Sequence, residues 1–571
     1  MLKTFTPAVL LLMFALTGIG WTQWSQDPSE ALNLPDIPHG YVVTTDSLGG
    51  AFIIGTGEDY SRTYCTHINR GGELGWDRWV TFMPGVDIDR ALGPYVCPEP
   101  GYLIAVLFAE HHNDEDTLWE IRAQKVSLEG ELMWPDSGVS VSDTRLRDEV
   151  TYTDMIGAES DGEGGLIILW KEDSYRIVGG GNRILERQSF RAQRLSSDGE
   201  SLWGDNGVEV LPDVDGPANT HEIGGKLVSD GAGGVIMVYH QGGTQVRIIG
   251  GQRISNDGEK LWGDTGVLYE LNSYLFIGEA VPDNHGGVLF SGQAAQNERL
   301  QVRVSRLDQN GDLLFGDGNG VVVKDVHYRD GSYLKYNYLT QASDSIFFVN
   351  WNGNTDEEPH SLVQAVNLTG DLVWDWPGLT VNDVDSICFT LTGVTSFQSV
   401  IYGWRAARPD SIRRGALYCQ RIDMQGNRQW ADEGVMLFDR RGWSVSNVIT
   451  DCHGGAIFKI SRYLQHINRD GELGIPLTIR GVDQPLAPGI IEYSLFPNPT
   501  NGATTISFLS PLVNNKQLMF FDLQGRLIFK GVIPAGVSSH PIDVSTYPSG
   551  SYILQMQTGA FDSQQMLNVV K

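Results

Sequence analysis

A unit of about 59 residues recurs through most of this chain, and the repeat limits the possible folds more than any other feature. Its clearest form is Ser-Asp-Gly-x-Gly-Gly, an apolar run, then Ala-Gln-Arg-apolar, Gly-Glu-x-Leu-Trp and Gly-Val. Residues 160–208 contain SDGEGGLIILW and then RAQRLSSDGESLWGDNGV. Residues 229–267 contain SDGAGGVIMVY and then GQRISNDGEKLWGDTGV. Looser copies occupy 101–139, 283–321, 343–379 and 397–435. Units at 46–76 and 451–474 resemble each other more than the six between them, as first and last members of an array do. The aromatic marks Trp76, Trp134, Trp203, Trp262, Phe315, Trp374 and Trp430 stand 53 to 69 residues apart.

Each unit reads as strands. LIILW, VIMVY and AIFKI are short apolar runs bounded by Gly, Asp and Asn, as buried strands are. Asp-Gly-x-Gly-Gly supplies residues that tolerate positive φ, so it is a tight turn. The Asx-x-x-Gly stretch before Leu-Trp is a second turn. A strand before each Ser-Asp-Gly and another through Gly-Val make four per unit. No unit sustains a 3.6-residue period, which excludes a helical solenoid. Four-stranded units in this number predict an all-β fold, a β-propeller. Eight blades are expected; seven, with the end units sharing one, is the alternative. RLSSDGESLW resembles the repeat of quinoprotein-type propellers. It also resembles the Asp-box of sialidase-type propellers, with Ser196, Asp198 and Trp203 in place and Gly199 one position early. These short resemblances imply blade packing, with the tryptophans as core residues between blades. They imply no cofactor.

The N-terminus has the layout of a secretory signal peptide over residues 1–22. Lys3 precedes the apolar stretch Pro7 to Ile19, and small residues follow at Gly18, Gly20 and Thr22. Thirteen apolar residues are short for a ~30 Å hydrocarbon core. The mature chain is therefore not expected to be an integral membrane protein. Cys65, Cys97, Cys388, Cys419 and Cys452 lack Cys-x-x-Cys spacing, so no zinc or redox motif is expected. Most should be buried thiols.

The propeller is expected over 23–480 and a linker over 481–491. Residues 492–571 change character. Alternating segments such as QLMFF, separated by turns such as Asp522-Leu-Gln-Gly525, predict seven short strands in a small Ig-like β-sandwich. This segment resembles the C-terminal type A sorting domain of type IX secretion substrates. The resemblance rests on Phe496-Pro497-Asn498-Pro499 with Gly502, on Asp522, Gly525 and Arg526, on Gly550-x-Tyr552, and on a last apolar strand ending at Lys571. Tyr547 stands where Leu is common. The resemblance implies export through the periplasm of a Gram-negative bacterium. An outer-membrane secretion translocon would be the partner, and cell-surface display or release the outcome.

The net charge of −29 lies in the repeat region, because 492–571 balance four acids against four bases. With Lys3 removed, 23–491 carry −30. That excludes nucleic acid as a main partner and disfavours anionic polymers. No Gly-x-Ser-x-Gly, His-Glu-x-x-His or phosphate-binding loop occurs. His111-His112 before Asn113-Asp114-Glu115-Asp116 offer metal ligands, but a flexible acidic loop explains them better. Asp213-Val-Asp215-Gly216, Asp317-Gly-Asn319-Gly320 and Asp383-Val-Asp385 are fragments of calcium loops, and none completes the EF-hand pattern. No cofactor is expected beyond calcium at a surface loop. Arg405, Arg408, Arg413 and Arg414 offer an anion contact or pairs with nearby acids. Any site is expected in the inserts 109–120, 171–190 and 405–415. A binding or adhesion module with a glycan or protein ligand is favoured over an enzyme. A polysaccharide hydrolase or lyase is the alternative.

Overall fold

A computed structural model describes residues 24–474 and 493–569, apart from short stretches such as 143–150, 242–247, 355–361, 441–444, 497–499 and 509–515. Its regular structure is β-strand, with one short 3-10 turn at Gly316–Gly318. The third unit shows the pattern. Thr151–Ser160, Leu166–Val178, Asn182–Leu195 and Val208–Asp215 pair in that order as one antiparallel sheet. Seven further sheets follow the same meander, beginning at His39, Arg90, Ile223, Phe276, Tyr333, Ile387 and Val445. The fifth also carries Val321–His327 beside its third strand.

The first strand of each sheet lies against the first strand of the next, and Val445–Thr450 returns to His39–Thr45. The sheets therefore form a closed ring. Apolar clusters fill the gaps between consecutive sheets. Ile104, Trp134 and Ile168 join the second to the third. Leu169, Trp203 and Met237 join the third to the fourth. Trp24, Val43 and Ile457 join the eighth back to the first. Each buried strand must be apolar on both faces, which is why LIILW and VIMVY lack alternation.

The repeated polar residues are consumed by this packing. Asp161 Oδ1 accepts from the N–H groups of Glu163 and Gly165, both at 2.8 Å. A Cβ on Gly165 would overlap the Leu195 carbonyl oxygen, so that turn requires glycine. Arg194 reaches from the third strand to Asp161 Oδ2 at 3.0 Å. Gln193 Oε1 accepts from the N–H groups of Arg194 and Trp203 at 3.0 Å each. Trp203 Nε1 and Arg194 Nη1 then both donate to the Asn256 carbonyl oxygen of the next unit, at 3.0 Å each. Trp262 and Arg253 converge likewise on Gln309, at 3.0 and 3.4 Å. Trp203 lies against the turn glycine Gly258, whose φ is +85°.

The ring closes through the N-terminal segment. The last unit ends Gly-Glu-Leu-Gly474 without a tryptophan. Trp24 takes that place, donating to the Arg70 carbonyl oxygen at 2.8 Å. Leu32–Asn33 adds the fourth strand of the eighth sheet, with Leu32 opposite Leu464. In the two end units histidine replaces the buried arginine. His67 bonds Asp46 at 2.8 Å and His466 bonds Asp451 at 2.9 Å.

Among the described residues the C-terminal segment forms two sheets from seven strands. Tyr493–Phe496, Ala503–Phe508 and Ser539–Asp543 make one. Leu527–Ile533, Lys516–Asp522, Gly550–Gln557 and Asp562–Val569 make the other, in that order. Ile506, Phe520, Leu554 and Leu567 fill the space between them.

Candidate functional site

The ring tryptophans are not a ligand platform. Trp76, Trp134, Trp203 and Trp262 are buried, and each indole N–H bonds a carbonyl of the next unit. The insert 109–120 contains the end of a two-stranded ladder, with His112 opposite Thr117. Asn113 to Asp116 lie outside the described residues, as do Gly216, Asp383, Asp385, Arg408, Arg413 and Arg414. Asp213 accepts from the Ser189 hydroxyl at 2.7 Å and lies 3.5 Å from Arg187. Among the described residues no three His, Cys, Asp or Glu side chains converge as metal ligands. Cys65 and Cys419 are buried, and burial pushes both thiols well above their ordinary range.

The insert 171–190 is strand rather than loop. Leu166–Val178 pairs with Asn182–Leu195 to the tip, where Val178 faces Asn182. The corresponding strand of the fourth sheet, Val235–Gln241, has 7 residues against 13 here. The corresponding strands of the second and fifth sheets, Tyr102–His112 and Val288–Gln296, have 11 and 9 residues, so this hairpin is the longest of those described.

A polar chain crosses three strands at the base of this hairpin. Asp154 and Phe190 both stand opposite Lys171 in the ladder, and Gln188 stands opposite Asp173. Lys171 Nζ lies 3.2 Å from Asp173 Oδ2 and 4.0 Å from Asp154 Oδ2. Gln188 Nε2 donates to Asp173 Oδ1 at 2.6 Å. The Asp154 side chain is 69% exposed, while Gln188 is 1% exposed. Gln188 Oε1 meets no donor among the described residues. Sequence reasoning placed this insert among the candidates but did not single out Lys171, Asp173 or Gln188, because their meeting depends on register across two turns.

Glu159, on the strand that carries Asp154, is a second unforeseen group. Burial pushes its carboxyl up to about 8.

The C-terminal domain places part of its motif. Gly502 precedes Ala503–Phe508, and its carbonyl accepts from the Val544 N–H at 2.8 Å. Gly550 begins its strand opposite Val569. Tyr552 stands opposite both Asp522 and Leu567, and its hydroxyl donates to the Pro548 carbonyl at 2.8 Å. Pro497, Asn498, Pro499, Gly525 and Lys571 lie outside the described residues. Residues 494–569 match the family described as secretion system C-terminal sorting domain. This match supports a type IX secretion substrate with a C-terminal sorting domain. Its sorting domain implies recognition by the type IX machinery and delivery to the cell surface or extracellular space. No described helix is long and apolar enough to cross a membrane.

No curated protein matches this chain. Among solved structures it is similar to the polysaccharide lyase Uly1, at 9% identity and TM-score 0.38, over 67% of this chain and 88% of that one. It is also similar to dipeptidyl peptidase 4 of Porphyromonas gingivalis, at 8% identity and TM-score 0.40, over 85% and 68%. Prolyl oligopeptidase B of Galerina marginata matches at 9% identity and TM-score 0.37, over 83% of this chain and about half of its own length, 56%.

Proposed function

We propose that the mature chain is an eight-bladed β-propeller displayed outside the cell as a glycan-binding or adhesion module. The propeller occupies 23–480, and a linker over 481–491 leads to an Ig-like sorting domain over 492–571. A leader over 1–22 takes the chain to the periplasm, and the translocon reads the sorting domain. The observation that carries this reading is the projecting hairpin Leu166–Leu195 on a closed ring. A ring whose turn carboxylates and indole N–H groups are bonded internally is rigid, and a rigid scaffold presents a projecting element at low entropic cost. The charge of −30 over 23–491 keeps anionic polymers away, so the ligand is neutral. A glycan array together with a hydrolysis screen on the secreted protein tests this. Retention of a neutral glycan without sugar release supports it; release of sugar from any polymer sinks it.

One observation favours the polysaccharide hydrolase or lyase instead. A Glu159 carboxyl that stays protonated up to about pH 8 is in the state a general acid needs. Loss of sugar release on Glu159→Gln would establish that reading.

A further inference from the structure

We propose that the base of the Leu166–Leu195 hairpin binds two neighbouring hydroxyl groups of a neutral sugar. The proposal rests on the glycan-binding reading and deepens it. Gln188 is buried, and its Oε1 has no donor among the described residues. Native proteins satisfy such an acceptor with a protein group, a water or a ligand. The amide cannot swap its ends, because Nε2 is committed to Asp173 Oδ1 at 2.6 Å. Lys171 Nζ carries three N–H bonds, and among the described residues Asp173 Oδ2 at 3.2 Å is its one carboxylate within hydrogen-bond reach. Asp154 Oδ2, at 4.0 Å, is beyond that reach.

Asp173 thus holds an unused acceptor and an unused donor on either side of itself. A hydroxyl that donates to Gln188 Oε1, beside one that accepts from Lys171 Nζ, completes both. Neighbouring ring hydroxyls of a sugar have this pattern. An anion would meet Asp154 and Asp173, and an ammonium group would meet Lys171, so the complement is uncharged. Asp154 is exposed, so the chain of groups opens to solvent at that end.

The test is calorimetric titration of the secreted full-length protein with neutral oligosaccharides of glucose, galactose and mannose. Lys171→Met and Gln188→Met should each weaken binding at least tenfold. Lys171→Arg, which keeps a donor, should stay within threefold. Should Gln188→Met fail to fold, the contrast between Lys171→Met and Lys171→Arg decides. A wild-type protein that binds a neutral sugar, with both methionine variants binding equally well, overturns this site and leaves the glycan reading standing. A wild-type protein that binds none of the probes overturns both.

Discussion

Trp24 Nε1 donates to the carbonyl oxygen of Arg70 at 2.8 Å, across 46 residues of chain. This bond repeats the contact that each inner tryptophan makes with the following unit. It is made by a residue that belongs to no repeat. The ring is sealed at this seam, and the seam is where opening should start.

Replacing Trp24 with Ala should cost about 3–5 kcal/mol, the usual loss for a buried Trp. Denaturant titration measures it. Hydrogen exchange should show the excess opening in Leu32–Asn33 and Tyr463–Ile467, which pair directly. Even loss of protection around the ring would contradict a weak seam.

Arg194 and Asp161 are both buried, with side chains 7% and 1% exposed. Arg194→Met leaves Asp161 without its charge partner, at a cost of about 3–5 kcal/mol. Asp161→Asn in the same chain should recover part of that loss in a double-mutant cycle. A cost below about 1 kcal/mol would mean water solvates the pair.

Strong acid should weaken the seam. Burial pushes the Asp451 carboxyl up, but the hydrogen bond and charge of His466 outweigh that together with the N–H groups of His453 and Gly455. The net shift is downward, so the folded state favours the carboxylate. Its contribution is present above the unfolded value near 3.9 and is lost as pH falls through the lower folded value. His466→Gln removes the charge and should move that loss to higher pH. Unfolding midpoints between pH 2 and 6 check it.

Glu159 has the opposite sign. Its folded carboxyl titrates near 8, above the unfolded value. Between about 4.3 and 8 the folded state holds a proton that the unfolded state has released. This group therefore lowers stability progressively as pH rises through that window. Glu159→Gln should remove the slope and raise the melting temperature at pH 8. An unchanged slope would show that Glu159 is solvated.

Deleting 492–571 should leave the protein in the periplasm, with the ring intact. Cell fractionation reads the outcome. Unchanged surface display would remove the sorting role.

Much of the ring was legible because each unit repeats its local chemistry. Ser-Asp-Gly-x-Gly-Gly marks a turn whose Asp caps two N–H groups and whose last Gly has no room for a Cβ. Gly-Glu-x-Leu-Trp marks the residue that spans to the next sheet. The closing partner was not read, although its absence was visible: the last unit stops at Gly474 without a tryptophan. Trp24 lies 450 positions earlier, and no local pattern links the two. The sorting domain was legible through short motifs in fixed order.

Local turn chemistry and a 59-residue period were enough to imply four-stranded sheets and an internal use for the tryptophans, while the apolar leader and the C-terminal motifs implied an exported chain. They act over a few residues, so each copy announces them independently. Ring closure by Trp24 and Leu32, the raised Glu159 and the meeting of Lys171, Asp173 and Gln188 arise only when distant segments are brought together. Burial and strand register set them, and both belong to the folded chain as a whole.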